Sequence, residues 1–297
     1  MSQFTVRLPA TSANLGPGFD SLGLAMALFL DIEAHVSSSF SIEAEGRDRQ
    51  VIASLERNLM LETYRAVAPK APPLSLGITN GIPLGMGCGS SAAALLAGVL
   101  LANQFGELGW SGEQILDEAC RREGHPDNVA ACFYGGLTAS AMQDGRVTAA
   151  SFGQDLPWRL LLALPKASLA TEKARALLPD GYSRADTVFN IQATALLVSA
   201  FALGRPELLA VGTGDRVHQP YRSSACPLLP LLLPLAGQPG IYSVTLSGAG
   251  PSVLLICDSV TPPDAIRAAI RAAASDESLE ILETTVGEGH SIQRENR

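Results

Sequence analysis

Hydrophobic and polar positions change their spacing along this chain in a way that sketches two successive sets of strands and helices. Apolar and polar residues alternate through Phe4–Leu8, Leu30–Val36 and Phe40–Glu45, the period-two pattern of half-buried strands. Helical spacing takes over around Asn58–Val67, a fourth strand is predicted over Leu74–Thr79, and an alanine- and leucine-rich helix over Ser90–Asn103. Ser111–Arg122 carries an N-cap serine, an early Glu113 and helical apolar spacing, and Gly124 ends it. His125–Gly136 reads as a loop with a short helical piece. Leu137–Gln143 and Arg146–Phe152 then flank Asp144-Gly145, a pair suited to a two-residue hairpin turn.

The apolar run Trp158–Pro165 opens the second set. It continues with helices over Thr171–Leu178 and Ala185–Leu203, strands over Ser243–Ser247 and Val253–Cys257, a helix over Pro263–Ala274 and a strand over Ile281–Thr285. Strands and helices are mixed rather than strictly alternating, which indicates an α+β fold. The boundary is expected near residue 153, giving units of 1–153 and 154–297.

With 297 residues, 47% of them apolar, the chain has ample material for such a core. A net charge of −8 argues against nucleic acid or an anionic membrane as partner. It also means that any polyanionic ligand must be held by local devices. Five cysteines without CxxC spacing suggest neither a disulfide framework nor a zinc site, so a reducing cytoplasm is expected. The N-terminal residues lack a basic stretch followed by an apolar run, and the most apolar segments, near Leu160 and Leu228–Leu235, are too short to span a bilayer.

The most informative segment is IPLGMGCGSSAA, Ile82–Ala93, where Gly85, Gly87 and Gly89 precede Ser90, Ser91 and a helix. Alternating glycines let backbone approach a ligand closely, and the unpaired amides at a helix start attract an anion. A P-loop would require a lysine here, yet the three lysines, Lys70, Lys166 and Lys173, all lie elsewhere. Phosphate chemistry would rest on amides, a metal ion and arginines. A tight turn into a buried helix is the bland alternative for these glycines.

Four more segments place polar groups where a core would not want them. PATSANLGPGFD, Pro9–Asp20, brackets glycines with Asn14 and Asp20, and reads equally as a capped turn. EGHPDN gathers Glu123, His125, Asp127 and Asn128 just past a helix end, as a solvated terminus or a metal or substrate site. Mg²⁺ prefers oxygen, so Glu123, or Asp117 or Glu118 one to two turns earlier, is the candidate carboxylate. TEKAR (Thr171–Arg175) and DRVHQPYR (Asp215–Arg222) each set an arginine beside hydrogen-bonding side chains; converging, Arg175 and Arg222 would suit a substrate carboxylate, with Asp20 receiving an amine. LSGAGP, Leu246–Pro251, joins two apolar strands and is either a plain hairpin or a second backbone clamp.

Together these segments resemble the GHMP kinases, and within them the homoserine kinase family. The resemblance covers nearly the whole chain: the glycine–serine loop and SGAGP mark the superfamily, EGHPDN and HQPYR the narrower family. It implies an N-terminal domain like ribosomal protein S5 domain 2, a C-terminal ferredoxin-like domain, and ATP and substrate between them. The implied reaction gives O-phospho-L-homoserine and ADP from L-homoserine and ATP, a step of threonine biosynthesis, with Mg²⁺ as cofactor. On the matching positions, Pro83, Leu84, Gly85, Met86, Gly87, Cys88, Gly89, Ser90, Ser91, Ala92 and Ala93 would bind ATP, and Ser91 and Glu123 the metal. Asn14, Asp20, His125, Asp127, Asn128, Thr171, Arg175 and Arg222 would line the L-homoserine pocket. Asn14, Asn128 and Ser91 would act in catalysis by orienting the attacking hydroxyl and neutralising charge.

Two positions depart from the family pattern, Cys88 for the usual leucine and Ala131 for a proline, and an exposed Cys88 would make ATP binding sensitive to thiol reagents. Two rival readings stay open: a GHMP kinase for another small alcohol such as mevalonate, a sugar or threonine, and a catalytically silent sensor of ATP and a metabolite. Oligomeric state stays open between monomer and homodimer.

Overall fold

Two β-sheets carry the chain. The structure, a computed structural model, describes residues 3–169 and 171–295. The first sheet comprises β1 (Gln3–Asn14), β2 (Gly18–Val36), β3 (Ser41–Gly46), β4 (Leu74–Asn80), β5 (Leu137–Gln143), β6 (Arg146–Phe152) and the last strand of the chain, Ser291–Glu295. The second comprises β7 (Arg159–Leu164), β8 (Ile241–Leu246), β9 (Val253–Cys257) and β10 (Glu280–Thr285), in the order β10-β7-β9-β8. The last strand is thus β11, and it pairs antiparallel with β1. An α+β fold was the expectation. The expected second unit, 154–297, nevertheless lends its final strand to the first sheet, because β1 offers a free edge there.

Among the helices, α1 (Arg49–Ile52), α2 (Leu59–Val67), α3 (Ser90–Phe105), α4 (Gly112–Glu123) and α5 (Asp127–Tyr134) belong to the first half. The second half holds α6 (Thr171–Arg175), α7 (Arg184–Leu203), α8 (Leu209–Gly212), α9 (Gln219–Arg222), α10 (Leu228–Leu232) and α11 (Pro263–Ala274). Local chemistry sets their ends. Asn58 caps α2 by accepting from the Leu61 amide, Ser111 and Gln114 form a capping box on α4, and Gly124 closes α4 in the left-handed region. Asp144 and Gly145 turn the β5–β6 hairpin with φ of 51° and 74°, both positive as a type I′ turn requires.

The unbroken apolar runs of β7 and β9 have a structural cause. Leu160, Leu162, Leu254 and Ile256 face the larger core, which β1, β2, β4 and α3 dominate, while Leu161, Ala163, Val253, Leu255 and Cys257 face a second core with α10 and α11. A sheet covered on both faces has no polar side to show. α7 is long and apolar enough to cross a bilayer; its buried stripe is Asn190, Ala193, Leu197, Ala200 and Phe201, with Phe201 edge-on to Trp158 at 4.8 Å.

The largest departure from the sequence reading lies at the N-terminus. β1 runs six residues beyond Leu8 to Asn14, and β2 begins at Gly18 rather than Leu30, so PATSANLGPGFD holds two strand ends and a tight turn. Register shifts at Pro9/Ala10 and Ala13/Asn14 break the alternation that would have revealed the strands. Their polar residues are buried because other backbone covers them: Thr11 N donates to Cys88 O and Gly248 N to Ala13 O. The short helical piece expected within His125–Gly136 is α5, which takes up most of that segment, and α6 stops at Arg175, short of Leu178.

Candidate active site

Loops and helix ends from both halves of the chain enclose a cavity of about 210 Å³. Asn14 and Asp20 reach it from the β1–β2 turn, the glycine loop and the start of α3 form one wall, and Glu123, His125, Asp127 and Asn128 come from the α4–α5 junction. Thr171, Arg175 and Arg222 complete it from the second half.

The glycine loop owes its shape to three left-handed residues, Gly85, Gly87 and Gly89, with φ of 68°, 72° and 67°. A Cβ on Gly87 would lie 2.2 Å from the Ser247 carbonyl oxygen, so the 247–250 turn packs directly on the loop. The Ser247 hydroxyl accepts from Ser12 at 2.9 Å and donates to Gly87 O at 2.8 Å, tying β1, the loop and this turn together. No side chain caps α3, whose N-cap is Gly89. Its first amides and its positive dipole end therefore stand open to an anion.

Beside them, Ser91 Oγ donates to Glu123 Oε2 at 3.0 Å. Burial lifts the Glu123 carboxyl above its ordinary value, although His125 and Ser91 pull it the other way. Asp117 and Glu118, the two other candidate carboxylates, are held elsewhere: Asp117 accepts from the Val147 amide and Glu118 from Arg121 and Arg122. A hydroxyl and a carboxylate at this spacing form the hard oxygen set that Mg²⁺ takes together with phosphate oxygens and water. The ligand atoms of Asp20, His125 and Asp127 also lie within 4.8 Å of one another, but Asp20 is committed to Arg175.

At the opposite end, Arg175 grips Asp20 in a two-pronged pair at 2.7 and 3.0 Å. Arg222 is 1% exposed and has no carboxylate partner among the described residues. Its Nε donates to Ala174 O and its Nη1 to Gly248 O, both at 3.3 Å, while Nη2 has no hydrogen-bond partner among the described residues. Burial, then the like charge of Arg175, hold its pKa below the usual arginine value. A buried guanidinium at a cavity wall without a counter-ion is a site for one.

Asp127 is the hub between these ends. Its Oδ1 meets His125 Nδ1 at 2.6 Å and accepts from the Asn128 amide at 2.6 Å. Asn128 Oδ1 in turn accepts from Thr11 at 2.8 Å. Burial lowers the His125 pKa, but the bond to Asp127 and the charges of Asp127, Glu123 and Asp20 outweigh it, so the net shift is upward. The pair's contribution to stability is accordingly full below the unfolded histidine pKa and fades as pH rises through the raised folded value. His125→Gln is expected to flatten the fall in melting temperature as pH rises above the unfolded value of about 6.5; identical pH profiles for both proteins would refute this.

Of the other sequence candidates, Gly85, Gly87, Cys88, Gly89, Ser90 and Ser91 line the cavity. Ala92 and Ala93 are core residues, and Pro83, Leu84 and Met86 border a different cleft. The Cys88 thiol corrects an expectation: it is 1% exposed, and burial pushes its pKa up to about 12. Iodoacetamide is expected to leave activity intact, as checked by intact mass and ADP release on one sample. Gly248, Ala249 and Gly250 of the LSGAGP turn also line the cavity, as does Phe19, which was not singled out. A second, apolar cavity of about 260 Å³, lined by Val51, Ile52, Leu59, Met60, Ile78 and Ile82, adjoins the first at Ser90 and Ser91. Short apolar segments separated by turn residues give no motif that would reveal it.

Residues 58–136 match the family described as GHMP kinases N terminal domain, and residues 197–276 that described as GHMP kinases C terminal. A homoserine kinase of Solibacter usitatus (strain Ellin6076) is 48% identical over 260 residues, covering 86% of this chain and 85% of that protein. The chain belongs to the homoserine kinases of the GHMP kinase family. A homoserine kinase of Synechocystis sp. is 40% identical over 271 residues, 89% of each chain. The crystal structure of the homoserine kinase from Cytophaga hutchinsonii shares the fold with a TM-score of 0.81 at 24% identity, covering 98% of this chain and 97% of that one. Homoserine kinases being ATP-dependent, the open helix start and the adjoining apolar cavity are the features to read against a nucleotide.

Proposed function

We propose that this chain transfers the γ-phosphoryl group of ATP to the hydroxyl of L-homoserine, a step of threonine biosynthesis, within a two-unit body divided near residue 153. The observation that carries the choice of acceptor is Arg222, a buried cation facing the cavity without an anion of its own. The α-carboxylate of an amino acid supplies that anion, and a guanidinium binds it in a two-pronged way. The Asp20–Arg175 pair then opens to take the α-amine on Asp20 and to share the carboxylate with Arg175. A zwitterion thus replaces one ion pair by two.

The purine would occupy the apolar cavity beside Ser90, and the phosphates the amides at the start of α3. Ser91 and Glu123 would hold Mg²⁺, which when bound neutralises charge on the phosphates. The remaining work falls to positioning. Asn14 already accepts from the Asp20 amide and donates to Gly248 O, and Asn128 is fixed by Thr11 and Asp127, so each carboxamide is held with one donor and one acceptor position to spare. Bonds from those positions orient the attacking oxygen in line with the γ-phosphorus.

The test is ADP release with Mg·ATP, comparing L-homoserine with L-threonine, L-serine, mevalonate and galactose. Turnover with L-homoserine alone is expected. Turnover with another alcohol would keep the family and overturn the roles given to Arg175, Arg222 and Asp20; ATP binding without turnover would favour a sensor.

A further inference from the structure

His218 does not touch the cavity, yet it holds the residue that faces it as an unpaired cation. Its ring is fully buried: Nε2 lies 2.8 Å from the carbonyl oxygen of Gly16 and 3.6 Å from Asp215 Oδ2, and Nδ1 lies 3.3 Å from Arg222 Nη1. A carbonyl only accepts, so Nε2 carries the hydrogen and Nδ1 turns its lone pair to the guanidinium. Burial, with the charge of Arg222 adding to it and that of Asp215 opposing, pushes the ring's pKa down to about 4 and keeps this neutral form in place.

The support behind the ring is equally fixed. The buried carboxylate of Asp215 accepts from the amides of Val217, His218 and Gln219 and from the side chain of Asn190, which locks the backbone turn leading into α9. Phe19 lies against the imidazole at 5.5 Å, and the Arg222 guanidinium sits 5.4 Å from the same phenyl ring. Arg222 can thus neither swing away from the cavity nor rotate freely within its slot. Gly16, the other partner of His218, belongs to the turn between Asn14 and Gly18, so the imidazole also links Arg222 to the turn that carries Asn14 and Asp20.

We propose that His218 is a positioning residue for Arg222, a neutral acceptor that aims the free Nη2 edge into the cavity and so sets the preference for an alcohol bearing a carboxylate. The inference rests on the homoserine kinase reading above. Two substitutions separate its two bonds. His218→Gln keeps a donor near the Nε2 position for Gly16 but loses the acceptor for Arg222, whereas His218→Asn keeps an acceptor near the Nδ1 position.

The experiment measures kcat/KM for L-homoserine and for 3-aminopropan-1-ol, the same alcohol without its carboxylate, together with KM for ATP. His218→Gln is expected to lose about tenfold or more of the wild-type preference for homoserine, the scale of a hydrogen bond to a charged group, with KM for ATP unchanged. His218→Asn is expected to retain most of that preference. In an Arg222→Met background, His218→Gln is expected to cost no further preference, because the group it acts through is gone. Equal losses in the Gln and Asn variants, an undiminished preference in His218→Gln, or a parallel rise in KM for ATP would overturn the proposal. If His218→Gln does not fold, His218→Asn alone decides: a loss of preference as large as that of Arg222→Met refutes the role assigned to Nδ1, and its retention supports it. A wild-type protein that leaves homoserine unphosphorylated overturns the reading itself, and this inference with it.

Discussion

Glu123→Gln is expected to lower kcat with L-homoserine by about 10²- to 10³-fold, on the order of 3–4 kcal/mol of lost charge stabilisation. The substitution keeps shape and keeps an oxygen to accept from Ser91, so the loop and α3 retain their geometry. What disappears is one negative charge in a partly buried site that already disfavours it, as the upward shift of the Glu123 carboxyl records. Stability should therefore hold or rise slightly, which separates this loss from unfolding. The Mg²⁺ concentration needed for half-maximal activity should rise in step. The same shift gives a direction in pH. A carboxylate must be ionised to bind the metal, so in the wild-type protein Mg²⁺ binding should weaken on acidification from a higher pH than the ordinary value of 4.5 would give. An unaltered kcat and Mg²⁺ requirement in Glu123→Gln would remove this residue from the metal site.

Arg222→Met is expected to raise KM for L-homoserine by about 10- to 100-fold, the worth of charged hydrogen bonds to a carboxylate of roughly 1.5–3 kcal/mol. Methionine replaces the aliphatic stem and removes the charge, so the change tests recognition rather than volume. KM for ATP should stay where it is, because the hydrogen bonds of Arg222 among the described residues go to Ala174, His218 and Gly248 and none to the start of α3. Arg222→Lys should recover little. A lysine cannot bond Ala174 O, Gly248 O and His218 at once and still offer a flat edge to a carboxylate. Unchanged KM for homoserine in Arg222→Met would leave the acceptor specificity without its main support.

Much of the cavity was legible because its chemistry imposes local rules on the chain. Three left-handed glycines before an uncapped helix are visible as GxGxG followed by serines, and Gly124 and Pro126 mark the break that presents Glu123 and Asp127 on adjoining turns. The strands that failed to register did so for a physical reason. Thr11, Ser12 and Asn14 are polar yet buried, satisfied by Asn128, Ser247 and Gly248 from more than a hundred residues away, and a window of neighbours contains none of those partners. β11 was illegible for a related reason, since Ser291–Glu295 becomes a strand only on the free edge of β1. His218 was quoted within its motif but given no role, because its contacts with Gly16 and Arg222 exist only in three dimensions. The Asp20–Arg175 pair shows the limit from the other side: both residues were expected to bind substrate, and spacing alone could not show that they neutralise each other first.

β7 and β9 present alternate side chains to the two cores. The second sheet therefore belongs to the packing of both cores at once. Melting either half would strip the apolar cover from one face of the shared sheet, so the molecule should unfold in a single calorimetric transition, and neither half should survive excision. Nor does such a wall make a hinge. Closing motion over the substrates is expected first in the turns that ring the cavity.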